Sequence, residues 1–109
     1  MSTPGTLTEP ARRETRLPVV LTVRAFVHES DNSGSLACTY EISRHGVRLA
    51  RLDGVEVVDQ PVWLKRQERK ARYRVSWIGA PGTPLEDQIG LELEDGVLIW
   101  DDAIIQNLA

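Results

Sequence analysis

The sequence has a single cysteine, Cys38, which excludes an internal disulfide and a structural zinc site built on cysteines. It also lacks a long apolar run. The first 18 residues do not resemble a signal peptide, and no apolar stretch is long enough to span a bilayer. These absences predict a cytoplasmic protein that does not insert into a membrane. We interpret Cys38 as a small buried residue of a strand rather than as a reactive thiol.

Patterns that support catalysis are also missing. The only histidines are His28 and His45, and neither belongs to a nucleophile elbow, a phosphate-binding loop or a dinucleotide fingerprint. His45 falls in a short turn, where a solvated histidine is expected. Asp101 and Asp102 are adjacent, and we interpret them as a solvated chain end rather than as an acid–base pair. We therefore predict a protein that is not an enzyme and has no metal site and no cofactor.

Positive charge is absent from the last third of the chain. All 13 lysines and arginines lie between Arg12 and Arg74, although the net charge is −3. The residues after Val75 carry only acidic charges: Glu86, Asp87, Glu92, Glu94, Asp95, Asp101 and Asp102. This asymmetry favours a local site for an anion over general adhesion to nucleic acid.

Short strands separated by turns dominate the remaining pattern. With 109 residues, of which 41% are apolar, the chain fits one domain with one core. The predicted strands are 19–28, 36–42, 47–52, 62–66, 69–78 and 87–93, with 55–59 as a short strand or an extended loop. Alternation within 69–78 places Trp77 on the buried face. This spacing predicts an all-β barrel or sandwich, and closure into a barrel would remove exposed strand edges.

The ends of the chain differ from this core. Residues 1–11 are polar and contain two prolines, which predicts a flexible N-terminal tail. The domain then runs over 12–109 and includes an arm at 12–18 and a C-terminal tail at 97–109. Within that tail, 97–108 is predicted to form one or two turns of helix.

Two elements could bind an anionic ligand. Arg12 and Arg16 stand four residues apart, just before the first strand, and planar guanidinium groups suit phosphates and guanine edges. Further on, Glu41, Ser43 and Gly46 span the end of one strand and the start of the next. Taken alone, the arginines could be solubilising charge and the second element an ordinary hairpin turn.

Together and in this order, the two elements resemble the PilZ domain family. The resemblance covers Arg12 to about Trp100. It rests on Arg-x-x-x-Arg before the first strand and on an acidic-x-Ser-x-x-Gly turn. The Arg-Lys-Ala-Arg-Tyr-Arg-Val-Ser-Trp-Ile-Gly and Gln-Ile-Gly-Leu-Glu-Leu segments are similar to the family's late strands.

The resemblance implies a six-stranded antiparallel barrel of the split-barrel type that binds cyclic di-GMP. Arg12 and Arg16 would then hold the phosphates and guanine faces, with Arg13 as an alternative partner. Ser43 and Gly46 would line the pocket. A protein partner that reads the bound state is a further expectation.

Position 41 departs from the family pattern, because Glu41 stands where the family has Asp or Asn. The carboxylate remains an acceptor for a guanine edge, but the extra methylene displaces it. This difference favours an alternative function, a PilZ-like barrel that binds ligand weakly or not at all and acts as a protein-interaction module. A third possibility is a small barrel that binds nucleic acid.

The basic segment 65–74 has two interpretations. It is either a solvated hairpin tip whose charges protect a strand, or a second contact for an anion. Nucleic-acid binding would require exposed aromatic rings among the basic residues. Tyr73 and Trp77 follow the basic run, but the alternation assigns both to the core.

Overall fold

The computed structural model describes residues 14–108, and within them six strands close into an antiparallel barrel. The elements are β1 (Thr22–Phe26), β2 (Ser35–Ile42), β3 (Gly46–Ala50), β4 (Pro61–Arg66), β5 (Arg69–Ile78), β6 (Gln88–Leu93) and the one-turn helix α1 (Asp102–Ile105). The strands pair in the order β1-β2-β3-β6-β5-β4, and β4 pairs again with β1. This confirms the predicted barrel and the short C-terminal helix. The predicted tail 1–11 and residues 12 and 13 of the arm lie outside the described residues.

The barrel interior is filled by one side of each strand. Alternate residues point inward, as the strand period requires, and most of them are aliphatic. The fully buried side chains include Val23, Ile42, Leu49, Val62, Leu64, Tyr73, Val75 and Ile89. Burial raises the pKa of Tyr73 far above its usual range, and the charge of Asp95 raises it further. The C-terminal segment contributes Ile99, Trp100 and Leu108 to the same core.

The first strand begins later than predicted. Before Thr22, the side chain of Thr39 in β2 holds the chain against that strand in place of a regular ladder. Thr39 is fully buried in β2, and its Oγ1 accepts a hydrogen bond from the backbone N–H of Leu21 at 2.9 Å. The same hydroxyl donates to the carbonyl oxygen of Val19 at 2.7 Å. Residues 19–21 therefore lie against β2 without a regular ladder, and only one isolated bridge, Leu17 to Ile42, precedes β1 in the described part of the chain.

One open alternative is decided and one prediction is corrected. Residues 55–59 form a loop, the second of the two alternatives. The loop is held by Gln60, whose amide donates to the carbonyl of Gly54 at 2.6 Å and accepts from the N–H of Glu56 at 3.0 Å. Cys38 lies in a strand as predicted but is exposed. Its neighbours Ala37 and Thr39 occupy the inward positions, so alternation turns Cys38 outward.

The acidic chain end is exposed, as predicted, and two arginines of the β4–β5 hairpin pair with it. The Arg66 Nη1 atom lies 2.8 Å from Asp101 Oδ1, and Arg69 Nη2 lies 3.3 Å from Asp102 Oδ1. Arg69 also donates to the backbone carbonyl of Trp100 at 2.7 Å. The hairpin between β4 and β5 therefore holds the segment that carries Trp100 into the core.

The next two arginines of β5 also have partners within the chain. The Arg72 Nε atom lies 3.3 Å from Glu94, and Arg74 Nη2 lies 2.6 Å from Glu92. The bond to Glu92 raises the pKa of Arg74. Acidic residues from the last third of the chain thus pair with basic residues of β5 along one wall of the barrel.

The hydroxyl of Thr39 provides a test of this account. We expect Thr39→Val to lower the free energy of unfolding by about 1–2 kcal/mol, because the Leu21 N–H and the Val19 carbonyl lose their partner while the shape is kept. Thr39→Ser retains the hydroxyl and should lose less. Urea denaturation of both variants measures the difference, and a Val variant as stable as the parent would contradict the account.

Candidate functional site

Two β-bulges turn side chains from the barrel interior to its outer face. In β2 the register shifts between Thr39 and Glu41, and in β5 it shifts between Val75 and Trp77. Thr39 and Val75 both point inward, so a regular strand would also point the residue two positions later inward. Each bulge adds one residue to its strand, so the residue two positions later points outward instead. Glu41 and Trp77 therefore lie on the outer face of the barrel.

The position of Trp77 corrects the prediction that it belongs to the core. Trp77 pairs with Gly90 of β6, and the next pair, Ile78 with Ile89, returns to the interior. A Cβ atom added at Gly90 would lie 2.0 Å from Trp77 Nε1, so the indole occupies the space above the bare glycine backbone. The sequence offered one indirect signal of this contact, the isolated Gly90 in the predicted strand 87–93. A glycine inside a strand often marks a place where another group approaches the backbone closely.

The turn between β2 and β3 carries the predicted Ser43 and Gly46. The Ser43 N–H donates to the Gly46 carbonyl at 2.9 Å, and its Oγ lies 3.3 Å from the same oxygen. A Cβ atom at Gly46 would lie 3.0 Å from the carbonyl oxygen of Leu91. Gly46 is therefore used for close approach to β6, and Ser43 shapes the turn that allows it.

A cavity of about 370 Å³ opens between these elements. Its wall is formed by the turn, the bulged parts of β2 and β5, the middle of β6 and the segment that enters β1. The lining residues are Glu14, Arg16, Glu41, Ile42, Ser43, His45, Gly46, Val47, Arg48, Ser76, Trp77, Gly90, Leu91 and Glu92. Four of the six predicted site residues, Arg16, Glu41, Ser43 and Gly46, are thus brought together. Arg12 and Arg13 lie outside the described residues.

The charges in the cavity are paired loosely. Glu41 Oε1 lies 3.9 Å from Arg16 Nη1 and 3.9 Å from Arg48 Nε. The Arg48 Nη1 atom donates to Gln88 Oε1 at 2.7 Å, and its guanidinium lies 5.7 Å from the ring centroid of Tyr40. Long, partly exposed ion pairs contribute little to stability, so a ligand can replace them at small cost. Arg48 and Trp77 also line the cavity, although neither was predicted from the sequence to be a site residue.

A shorter contact holds the entering segment against the turn. Glu14 Oε2 accepts a hydrogen bond from the backbone N–H of His45 at 2.7 Å and lies 2.9 Å from its ring Nδ1. The ring of His45 remains largely exposed, in agreement with the predicted solvated histidine. The contact places Arg16, two residues after Glu14, at the rim of the cavity.

Within residues 14–108, no three His, Cys, Asp or Glu side chains cluster so that they could hold a metal ion. In the same part of the chain, no helix has the length and apolar character needed to cross a bilayer.

The barrel is similar to a solved structure, that of the Bacillus subtilis inhibitor of motility, MotI/DgrA. The TM-score is 0.57 and the sequence identity is 18%, over 89% of this chain and 47% of the MotI/DgrA chain. This chain therefore matches about half the length of that protein. At this identity the likeness concerns the fold alone, and it supports the PilZ-like barrel expected from the sequence. No protein-family model and no curated protein matches the sequence.

The contact between Gly90 and Trp77 can be tested directly. We expect Gly90→Ala to displace the indole and to cost about 1–3 kcal/mol, because the added methyl overlaps the ring. Near-ultraviolet circular dichroism reports the ring and thermal unfolding the stability. In a Trp77→Ala background the same substitution should cost much less, and equal costs in both backgrounds would show that Trp77 does not cover Gly90.

Proposed function

We propose that this chain is a receptor domain for cyclic di-GMP that acts without catalysis. The observation that carries the proposal is the meeting of Arg16, Glu41, Ser43 and Gly46 in one cavity. These are residues on which the resemblance to the PilZ family rests, and they come from separate parts of the chain. A receptor for an intracellular second messenger would act in the cytoplasm.

The chemistry of the cavity suits a guanine dinucleotide. Its volume of about 370 Å³ lies in the range of small-molecule sites. Arg16 and Arg48 offer guanidinium forks for phosphate oxygens or for the acceptor edge of guanine. The half-buried indole of Trp77 offers a face for a base, and such stacking contributes about 1–3 kcal/mol per base. Glu41 can accept hydrogen bonds from the N–H groups of guanine.

The loose pairs around Glu41 suggest how binding proceeds. The carboxylate of Glu41 lies between Arg16 and Arg48, at 3.9 Å from each. A phosphate that draws Arg16 away would free Glu41 for the guanine edge. We propose that Arg12 and Arg13, which precede this segment in the sequence, add further cationic contacts. Ordering of the arm on the barrel would alter the surface that a protein partner recognises.

A second candidate function is a PilZ-like barrel that binds ligand weakly and serves as a protein-interaction module. Glu41 favours it, because its extra methylene displaces the carboxylate from the position of the family's Asp or Asn. The two candidates differ in one measurable property, the affinity for cyclic di-GMP.

Calorimetric titration with cyclic di-GMP tests the proposal. We expect binding in the micromolar range or tighter, and an Arg16→Ala variant should lose about tenfold in affinity because one charged contact is removed. Arg72→Ala is the matched control, since Arg72 pairs with Glu94 outside the cavity. Folded protein that gives no heat of binding would favour the second candidate. Equal losses at Arg16 and Arg72 would move the site to the β4–β5 hairpin.

Substitution of Glu41 tests whether its carboxylate accepts hydrogen bonds from the ligand. We expect Glu41→Asp to tighten binding about tenfold, or roughly 1.4 kcal/mol, because the shorter side chain restores the family's acceptor position. Glu41→Ala should weaken binding, since guanine donors lose their acceptor. Titration of both variants provides the measurement. Unchanged affinity in both would remove residue 41 from the site.

A further inference from the structure

The Glu14 carboxylate is bound by the turn between β2 and β3. Its Oε2 atom accepts the backbone N–H of His45 at 2.7 Å and lies 2.9 Å from Nδ1 of the same residue. Because an ionised carboxylate only accepts hydrogen bonds, this contact requires the ring to carry a proton on Nδ1. Two donors thus converge on one anionic oxygen. We call the backbone N–H and the Nδ1–H of His45 the His45 subsite.

The turn that carries the His45 subsite is held in place from two directions. The carbonyl oxygen of His45 accepts a hydrogen bond from the N–H of Leu93 at 2.8 Å. The Arg44 Nε atom donates to the carbonyl oxygen of Leu108 at 3.0 Å. These bonds fix the turn through other groups and leave the His45 N–H for the carboxylate. A donor that is positioned in this way needs no rearrangement to bind another anion.

Glu14 contributes a negative charge to the cavity that we propose binds an anion. It is one of three glutamates in the described lining. Glu92 pairs with Arg74 at 2.6 Å, and Glu41 lies 3.9 Å from each arginine of the lining. Within residues 14–108, the ion-pair partner of Glu14 is His45 alone. A phosphate that entered with Glu14 in place would meet this carboxylate at close range, which is unfavourable because like charges repel.

Glu14 can leave the His45 subsite without releasing Arg16. Leu17, the residue after Arg16, is held against β2 by two backbone hydrogen bonds with Ile42, at 2.8 and 2.9 Å. These bonds do not involve Glu14, so the backbone next to Arg16 keeps its position when the Glu14 side chain moves. Loss of the Glu14 contact therefore vacates the subsite and leaves Arg16 at the cavity.

We propose that Glu14 is an internal competitor of the ligand, which occupies the His45 subsite until a phosphate group displaces it. The inference rests on the proposed function for the identity of the ligand, whereas the subsite itself requires only an anion. A phosphate oxygen then accepts the two hydrogen bonds that Glu14 Oε2 accepts here. The competition lowers the apparent affinity by the fraction of the protein in which the subsite is vacant.

The donors of the His45 subsite favour a phosphate over a guanine base as the group that replaces Glu14. Guanine would offer O6 or N7, which are neutral acceptors, and hydrogen bonds to a charged acceptor are about twice as strong. A base also needs an aromatic face on which to stack. Trp77 of β5 provides that face in the cavity, and the turn does not.

Calorimetric titration with cyclic di-GMP measures the competition. Glu14→Gln keeps the length of the side chain and removes its charge, so we expect it to tighten binding about fivefold. Glu94→Gln is the matched control, because it removes the same charge from a glutamate outside the cavity that pairs with Arg72. The control should change the affinity less than about twofold. Weaker binding by Glu14→Gln, or equal changes in the two variants, would overturn the proposal.

A second measurement follows the subsite without cyclic di-GMP. The amide resonance of His45 is recorded by NMR while pyrophosphate, a phosphate anion without a base, is added at constant ionic strength. In Glu14→Ala the subsite is vacant, and we expect a saturable shift. In the parent the shift should be about fivefold smaller at the same concentration, because Glu14 occupies the donor. The amide of Gly96, an exposed residue after β6, is the reference for general ionic effects.

The two measurements separate this inference from the proposed function. A pyrophosphate shift at His45 in Glu14→Ala, together with no cyclic di-GMP binding by the parent or by Glu14→Gln, would contradict the proposed function and support the subsite for another phosphate ligand. No saturable shift at His45 in Glu14→Ala, or an equal shift in the parent, would overturn the inference whatever the calorimetry shows.

Discussion

Three residue pairs between β1 and β4 close the ring of strands, and the two faces of the barrel follow from that short ladder. Ala25 pairs with Leu64 on the inside, while Arg24 and Lys65 meet on the outside. Closure leaves none of the six described strands with a free edge. Because the barrel is closed, the side chains on one side of each strand fill the core and those on the other side lie on the outer surface.

The cavity depends on local exceptions to this regular pattern. One bulge in β2 and one in β5 reverse the alternation, and each turns a side chain that lines the cavity, Glu41 or Trp77, out of the core. Glycines at 46 and 90 then let backbone and indole approach where a Cβ atom would not fit. The cavity on this small barrel is formed by adding one residue to each of two strands, and the interior packing continues on both sides of each bulge.

The C-terminal segment links the core to this site. Leu108 is fully buried, and its backbone carbonyl accepts a hydrogen bond from Arg44 Nε at 3.0 Å. Arg44 belongs to the turn that carries Ser43 and Gly46, so the chain end supports the turn that lines the cavity. At the other end of the same segment, Arg66 and Arg69 hold Asp101 and Asp102. The acidic last third of the chain is therefore matched by basic residues from the hairpin and the turn.

The sequence by itself determined where most of the strands lie along the chain, because period-2 patterns and turn residues are local properties. Strand 69–78 was predicted to the residue, and an Arg-x-x-x-Arg segment and an acidic-x-Ser-x-x-Gly turn marked the residues from which a cavity is built. Only the tertiary structure decided which face Glu41 and Trp77 occupy, since a bulge arises from pairing with another strand and alternation alone placed Trp77 in the core. The exposure of Cys38 and the pairing of Asp101 and Asp102 with arginines of the hairpin likewise depend on the tertiary structure, which brings together residues far apart in the chain.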